Sequence, residues 1–209
     1  MRLLTAFGLM LLSITSWAAT NPSDVVYKAT NGLIEELNQT PVDQRTDAMV
    51  KELVMTYIVP AIDQERIAKG ALGKYWRLAN DQQQLEFIDR FRELQIRTYS
   101  GAFKAFNGQK LEFGDARTNE EGDKAIVQGQ LIQTNGNVIP IDFKLFQDPQ
   151  DKQWRVYDAV VSGLSMVKTY RDQMSQRLQG TNPGNANERM TTLLQALKDE
   201  AEQVASSES

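Results

Sequence analysis

The chain has 209 residues, no cysteine and no histidine, and 23 Lys and Arg against 27 Asp and Glu. The two absences exclude a disulfide framework, a thiolate nucleophile, a histidine-based triad and any imidazole or thiolate metal site. A net charge of −4 excludes the basic surface that nucleic-acid phosphates demand, while 41% hydrophobic residues suffice for one substantial core.

In chain order, residues 1–19 read as a secretory signal peptide. Arg2 supplies the positive start, Leu3 to Ile14 the apolar run, and Ser16-Trp17-Ala18 the small residues ahead of a cleavage point. The run is too short to span a bilayer. Cleavage would remove only Arg2 among the charges, leaving an exported, acidic mature chain of net charge −5, with a domain over 20–204 and a frayed tail over 205–209. A chain without thiols suits an oxidising compartment.

Asn21-Pro22 predicts a capped helix start, followed by Val25, Val26, Ala29, Leu33, Ile34 and Leu37 at helical spacing. Met49, Val50, Leu53, Val54 and Tyr57 predict a second helix that stops before Pro60. Asp63 to Lys69 predicts a short third helix ended by Gly70, and Ala71 to Leu78 a helical or turn segment. Asn80 and Gln83 make a capping-box pattern ahead of the longest helix. Its expected stripe is Leu85, Phe87, Ile88, Phe91, Leu94, Tyr99, Ala102, Phe103 and Phe106, and its expected end Asn107-Gly108.

Strands are predicted over 110–117, 125–133, 138–146 and 153–161, with Thr134-Asn135-Gly136-Asn137 as a hairpin turn. Connections this short make the sheet antiparallel. Leu164, Val167, Tyr170, Met174 and Leu178 predict a helix reaching Gly180. A polar loop over Thr181–Asn187 then leads to a last helix with Met190, Leu193, Leu194, Leu197 and Val204. The fold class is α+β, with helices packed on a curved antiparallel sheet of four or slightly more strands.

Motifs for chemistry are scarce. Gly163-Leu164-Ser165 begins like a nucleophile elbow, but Val167 stands where the second glycine belongs, so it reads as a strand running into a helix cap. Gly70-Ala71-Leu72-Gly73-Lys74 lacks the spacing and hydroxyl of a phosphate loop and reads as a helix junction. Asp63, Glu65, Asp148 and Asp151 miss calcium-loop spacing and read as surface charge. Asp142 and Asp158 fall on neighbouring strands and could share acid–base work; the plainer expectation puts both on the solvated sheet face, beside Lys144.

The apolar pattern is more informative. Strand three alternates Ile139, Ile141, Phe143 and Leu145 with Pro140, Asp142 and Lys144. Strand two puts Val127, Gly129 and Leu131 on one face, and Gly129 predicts a bend or a close approach. A solid core and a hollow one holding an apolar ligand both account for this pattern.

The blocks Pro60-Ala61-Ile62-Asp63, Ile67-Ala68 and Leu72-Gly73-Lys74-Tyr75-Trp76-Arg77, followed by Gln83, Phe87, Phe91 and Tyr99, resemble the helical half of the MlaC family, also called the toluene-tolerance family. Trp154-Arg155-Val156-Tyr157-Asp158, Gly163-Leu164-Ser165-Met166-Val167 and Tyr170-Arg171-Asp172-Gln173 resemble its second half. The resemblance runs from Asn21 to Leu197. Departures are Ser162, where the family usually has Glu, Met174, where it commonly has Phe, and a more polar Thr181–Asn187 loop.

The resemblance implies a monomeric periplasmic carrier with an NTF2-like cone, whose apolar cavity takes the acyl tails of a phospholipid. It implies traffic between an outer-membrane lipoprotein–porin complex and an inner-membrane ABC transporter bearing an MCE-domain subunit, in support of outer-membrane lipid asymmetry. No catalytic residue, metal or cofactor goes with that role. For the cavity wall it nominates Leu72, Tyr75, Trp76, Phe91 and Phe103 from the helices. From the sheet it nominates Val127, Leu131, Ile139, Ile141, Phe143, Tyr157 and Val161, and Val167 from the helix that follows. Strand four is ambiguous, since Val156 and Val160 alternate against Tyr157 and Val161. Two alternatives stay open: an enzyme on the same cone, with Asp142 or Asp158 inside the cavity, and a carrier of acylated or unfolded protein, with a wide open groove.

Overall fold

The computed structural model describes residues 21–180 and 185–207; the predicted leader and most of the Thr181–Asn187 loop lie outside them. The Asn21 side chain accepts from the Ser23 amide at 3.1 Å and starts α1 (Pro22–Gln39), whose buried stripe includes Val26, Ala29, Leu33 and Leu37. Thr46 caps α2 (Asp47–Leu53). The chain does not stop winding before Pro60. It widens to a π turn over Val54–Ile58 and tightens to a 3-10 turn over Val59–Ala61, where Pro60 sits at the start and its missing N–H leaves no bond unmade.

Asp63 caps α3 (Gln64–Leu72), which runs past Gly70 and ends at Gly73, the residue with φ +58°. Within this helix position 70 needs a glycine because α5 crosses there: a Cβ on Gly70 would lie 2.6 Å from Val167 Cγ1. A 3-10 segment over Gly73–Leu78 then leads to α4 (Asp81–Lys104), which opens with both bonds of the expected capping box. It ends at Lys104, ahead of the Asn107-Gly108 signal, and Leu85 lies off its buried stripe at 65% exposure.

The strands are β1 (Lys110–Thr118), β2 (Lys124–Ile132), β3 (Val138–Gln147), β4 (Trp154–Val161) and a short β5 (Leu164–Ser165), paired antiparallel in that order. β5 arises because Ser162 and Gly163 both take positive φ, as a two-residue hairpin requires. Leu164, expected on the next helix, is therefore a strand residue, 69% exposed. α5 (Met166–Gly180) and α6 (Ala186–Ser207) follow, and α6 reaches into the stretch expected to fray.

The helices partner unequally. α4 packs chiefly on α6, then on α2 and α3, whereas α1 lies on β1, β2 and β4, and α5 and α3 also pack on β4. Buried Arg45 joins the far ends of α1 and α4: its guanidinium donates to the carbonyls of Leu37, Thr40, Lys104 and Phe106. These are the C-terminal turns of two helices, whose partial negative charge suits a buried cation. Among the described residues no helix is long and apolar enough to cross a membrane.

Candidate functional site

Among the described residues three apolar clusters form: a large helical one, one on the sheet, and a small one of Val50, Val54 and Ile96 against which Ile58, Val59 and Phe103 pack. In the helical one, Phe91 stacks on Phe87 with ring centroids 5.3 Å apart and meets Tyr170 edge-on at 4.9 Å. Tyr170 shares a 3.0 Å hydroxyl–hydroxyl bond with Tyr99. Burial, and then that bond, hold the Tyr170 phenol well above the usual tyrosine range. Leu72, Tyr75, Trp76 and Phe91, expected to line a cavity, all sit inside this cluster, and Leu72 and Phe91 have 0% exposure. Val167 packs against it from α5.

The sheet cluster is graded along the strands. Ala125, Val127, Leu145, Trp154 and Val156 are buried under Val26 of α1. Farther along the same face Phe143, Ile141, Ile139, Leu131 and Val161 are only half-buried. Cross-strand partners share a face, so the register settles the ambiguity of strand four. Phe143 opposes Ala159 and Ile141 opposes Val161, but a bulge makes Leu145 oppose Val156. Val156 and Val161 thus both face inward, and half-buried Tyr157 is the extra residue of the bulge. Gly129 answers to a close approach: its cross-strand partner Phe113 lays its ring over it, and a Cβ there would lie 2.9 Å from Phe113 Cδ1. The Phe113 ring also meets Phe143, with centroids 5.9 Å apart.

Ile62 packs against both the large helical cluster and the sheet cluster. It pairs with Val156 as an isolated bridge, and the Asp63 amide donates to the Val156 carbonyl at 2.8 Å. Beside it lies a cavity of about 150 Å³ lined by Ile58, Val59, Ile62, Ile96, Tyr99 and Phe103, with Gln64, Arg92 and Gln95 supplying polar groups. Among the expected wall residues Phe103 is here. Ile58, Val59 and Ile62 were missed because Pro60 reads as a stop; the apolar run through the proline was the available signal.

The charged candidates resolve differently from expectation. Asp158 is buried rather than solvated, at 6% exposure, and does not face Asp142, which opposes Val160. One Asp158 oxygen accepts from Lys144 Nζ at 3.1 Å and Ser165 Oγ at 2.8 Å, and the other from the Val167 amide at 3.2 Å. Ser165 Oγ in turn accepts from the Lys168 amide at 3.1 Å. Asp158 and Ser165 therefore tie the start of α5 to β4, and the Gly163-Leu164-Ser165 motif is the helix cap it was expected to be. Asp63, Glu65 and Asp148 line a surface groove of about 370 Å³ together with Arg66, Lys69 and Arg155. Each carboxylate there is ion-paired, as is Asp151. Among the described residues no three carboxylates gather to hold a metal.

Comparison with known proteins supplies an independent line. A toluene tolerance protein, ttg2D, of Pseudomonas putida is 27% identical over 179 residues, covering 85% of this chain and 80% of the relative. The intermembrane phospholipid transport system binding protein MlaC of Haemophilus influenzae is 27% identical over 169 residues, covering 79% and 77%. Among solved structures, the phospholipid-binding protein from Ralstonia solanacearum, in complex with a phospholipid, superposes with a TM-score of 0.78 at 26% identity, covering 89% of this chain and 99% of that one. The MlaC protein family model matches residues 27–199, and the chain belongs to that family.

Proposed function

We propose that this protein is a phospholipid carrier of the periplasm, delivered there by a cleaved leader. It shelters acyl tails in the seam between sheet and helices and shuttles lipid between an outer-membrane lipoprotein–porin complex and an inner-membrane ABC transporter with an MCE-domain subunit. In that role it is a monomer that serves outer-membrane lipid asymmetry. The observation that carries the reading is the phospholipid-bound neighbour, which shares the fold over nearly the whole described chain.

The energetics support it. Each methylene kept from water is worth ~0.8 kcal/mol, so two chains with about 30 methylenes would face a penalty on the order of 24 kcal/mol crossing water bare. A hydrocarbon-lined, cone-shaped pocket removes that penalty without forming or breaking a bond. Direction of transfer then comes from the membrane partners. The wall comprises Phe103, Leu131, Ile139, Ile141, Phe143, Tyr157 and Val161, joined by Ile58, Val59 and Ile62, which retain exposed surface. Leu72, Tyr75, Trp76, Phe91, Val127 and Val167 brace that wall from behind.

Native mass spectrometry of freshly purified protein tests the reading: one phospholipid mass is expected on the folded chain. Ile141→Trp is expected to lower occupancy while far-ultraviolet circular dichroism stays near wild type. Fresh protein that never carries lipid, from any preparation, sinks the proposal.

A further inference from the structure

The inner face of the sheet is sealed at one end and open at the other, and the change occurs at one pair of rings. Along β3, Leu145 is buried with 0% exposure, Phe143 is half-buried, and Ile141 and Ile139 are half-buried beyond it. Along β2, Ala125 and Val127 are buried, then comes Gly129, then half-buried Leu131. At the boundary Phe113 crosses from β1 over Gly129 and sets its ring edge-on against Phe143. Only a glycine at 129 leaves room for that ring, so the cross-strand pairing directs Phe113 along the inner face, where it meets Phe143.

Resting on the carrier reading above, we infer that the Phe113–Phe143 pair is the floor of the lipid site and sets the acyl-chain length that fits. The dimensions agree. Four residues of strand separate Phe143 from Ile139, a rise of about 13 Å. One leaflet of a bilayer, half of its hydrocarbon core, is about 15 Å deep. The open apolar stretch thus matches a leaflet-length tail, and a longer tail must leave methylenes in water above the rim. Each methylene left out lowers relative affinity about fourfold.

Delipidated full-length protein is incubated with vesicles holding equal amounts of a shorter-chain and a longer-chain phosphatidylglycerol, and the bound pair is quantified by mass spectrometry. Wild type is expected to favour the shorter lipid. Phe113→Ala and Phe143→Ala are expected to shift the ratio toward the longer lipid by about fourfold for each methylene admitted. Phe113→Leu, which keeps an apolar filler, is expected to shift it less in the same direction, and it decides the matter should either alanine variant lose its near-ultraviolet circular dichroism. Leu85→Ala, on the exposed side of α4, is expected to leave the ratio unchanged. Unchanged ratios at both phenylalanines with lipid still bound overturn the floor. Failure of wild type to take up either lipid overturns the carrier reading instead, and the floor with it.

Discussion

Phe91 and Phe143 are the same residue type on comparably patterned elements, yet they sit in different environments. Phe91 has 0% exposure and rings on two sides, on a helix whose neighbours are other helices. Phe143 has one aromatic neighbour and remains half-buried, on β3, whereas α1 lies on β1, β2 and β4. The difference lies in what crosses opposite. α6 and α5 close over α4, whereas α1 covers the sheet near Val26 and leaves the rest of the inner face to the seam. A solid region fixes the fold, and a region left short of cover keeps the accessible apolar surface that the proposed lipid site requires.

The sharpest way to break that contrast is to truncate one ring and charge the other. Phe91→Ala is expected to destabilise the protein by about 3–5 kcal/mol through the cavity it leaves, with lipid occupancy of the remaining folded protein unchanged. Phe143→Asp is expected to do the reverse: most bound lipid is lost while thermal unfolding moves far less, because a half-exposed carboxylate keeps part of its hydration. Thermal melts and native mass spectra on both variants check the pair; equal stability losses would erase the distinction.

Next in size is the junction that holds the two regions together. Asp158→Ala removes the acceptor for Ser165, for the Val167 amide and for Lys144, and is expected to cost about 2–3 kcal/mol. Because α5 also braces α3 at Gly70, through the 2.7 Å bond from Arg171 Nε to the Gly70 carbonyl, weaker amide protection is expected in both helices. Protection lost across the β1–β2 hairpin instead would mean that Asp158 supports the sheet rather than the junction.

This junction also explains how much was legible from sequence. Strand limits, hairpins and helix caps follow from local signals such as two-residue alternation and an Asn or Asp before a helix, and β1 to β4 came out within a residue or two of their expected ends. The division of apolar residues into solid core and seam was not legible. Leu72 and Ile141 look alike in a pattern, and their burial depends on an element distant in sequence. The residues that carry the family resemblance behave similarly. Leu72-Gly73, Tyr75-Trp76, Asp158, Ser165 and Tyr170-Arg171 are mostly the helical cluster and the α3–α5–β4 junction, so the resemblance rests chiefly on the scaffold. The π turn ahead of Pro60 and the 3-10 turn through it were hidden because a proline usually ends a helix.

The Tyr99–Tyr170 bond gives a smaller, pH-dependent version of the contrast. Tyr170→Phe is expected to cost about 1 kcal/mol at neutral pH. The folded phenol is held protonated by burial and by the Tyr99 bond, so its contribution is fully present below the ordinary tyrosine value of about 10 and is lost as pH rises and the unfolded tyrosine ionises. Melts of wild type and variant are therefore expected to converge in alkali.

Glu93 reports on the helical side at the acid end, with the smallest expected effect. Burial works to raise its carboxyl, but the hydrogen bonds and charges of Lys51, at 2.8 Å, and Arg97, at 2.9 Å, outweigh this and hold it below the usual carboxylate range. A depressed folded value stabilises the protein above the unfolded carboxylate value of about 4.3, and that contribution fades as pH falls through the folded value. Glu93→Gln is thus expected to lower stability by at most about 1 kcal/mol near neutrality, less in high salt, and by nothing in strong acid. Since the pair joins α2 to α4 away from the sheet, lipid occupancy should stay constant across the same pH range in this variant. A parallel fall in occupancy would show that the Lys51–Glu93–Arg97 group also holds in place the α4 side of the seam, where Phe103 lies.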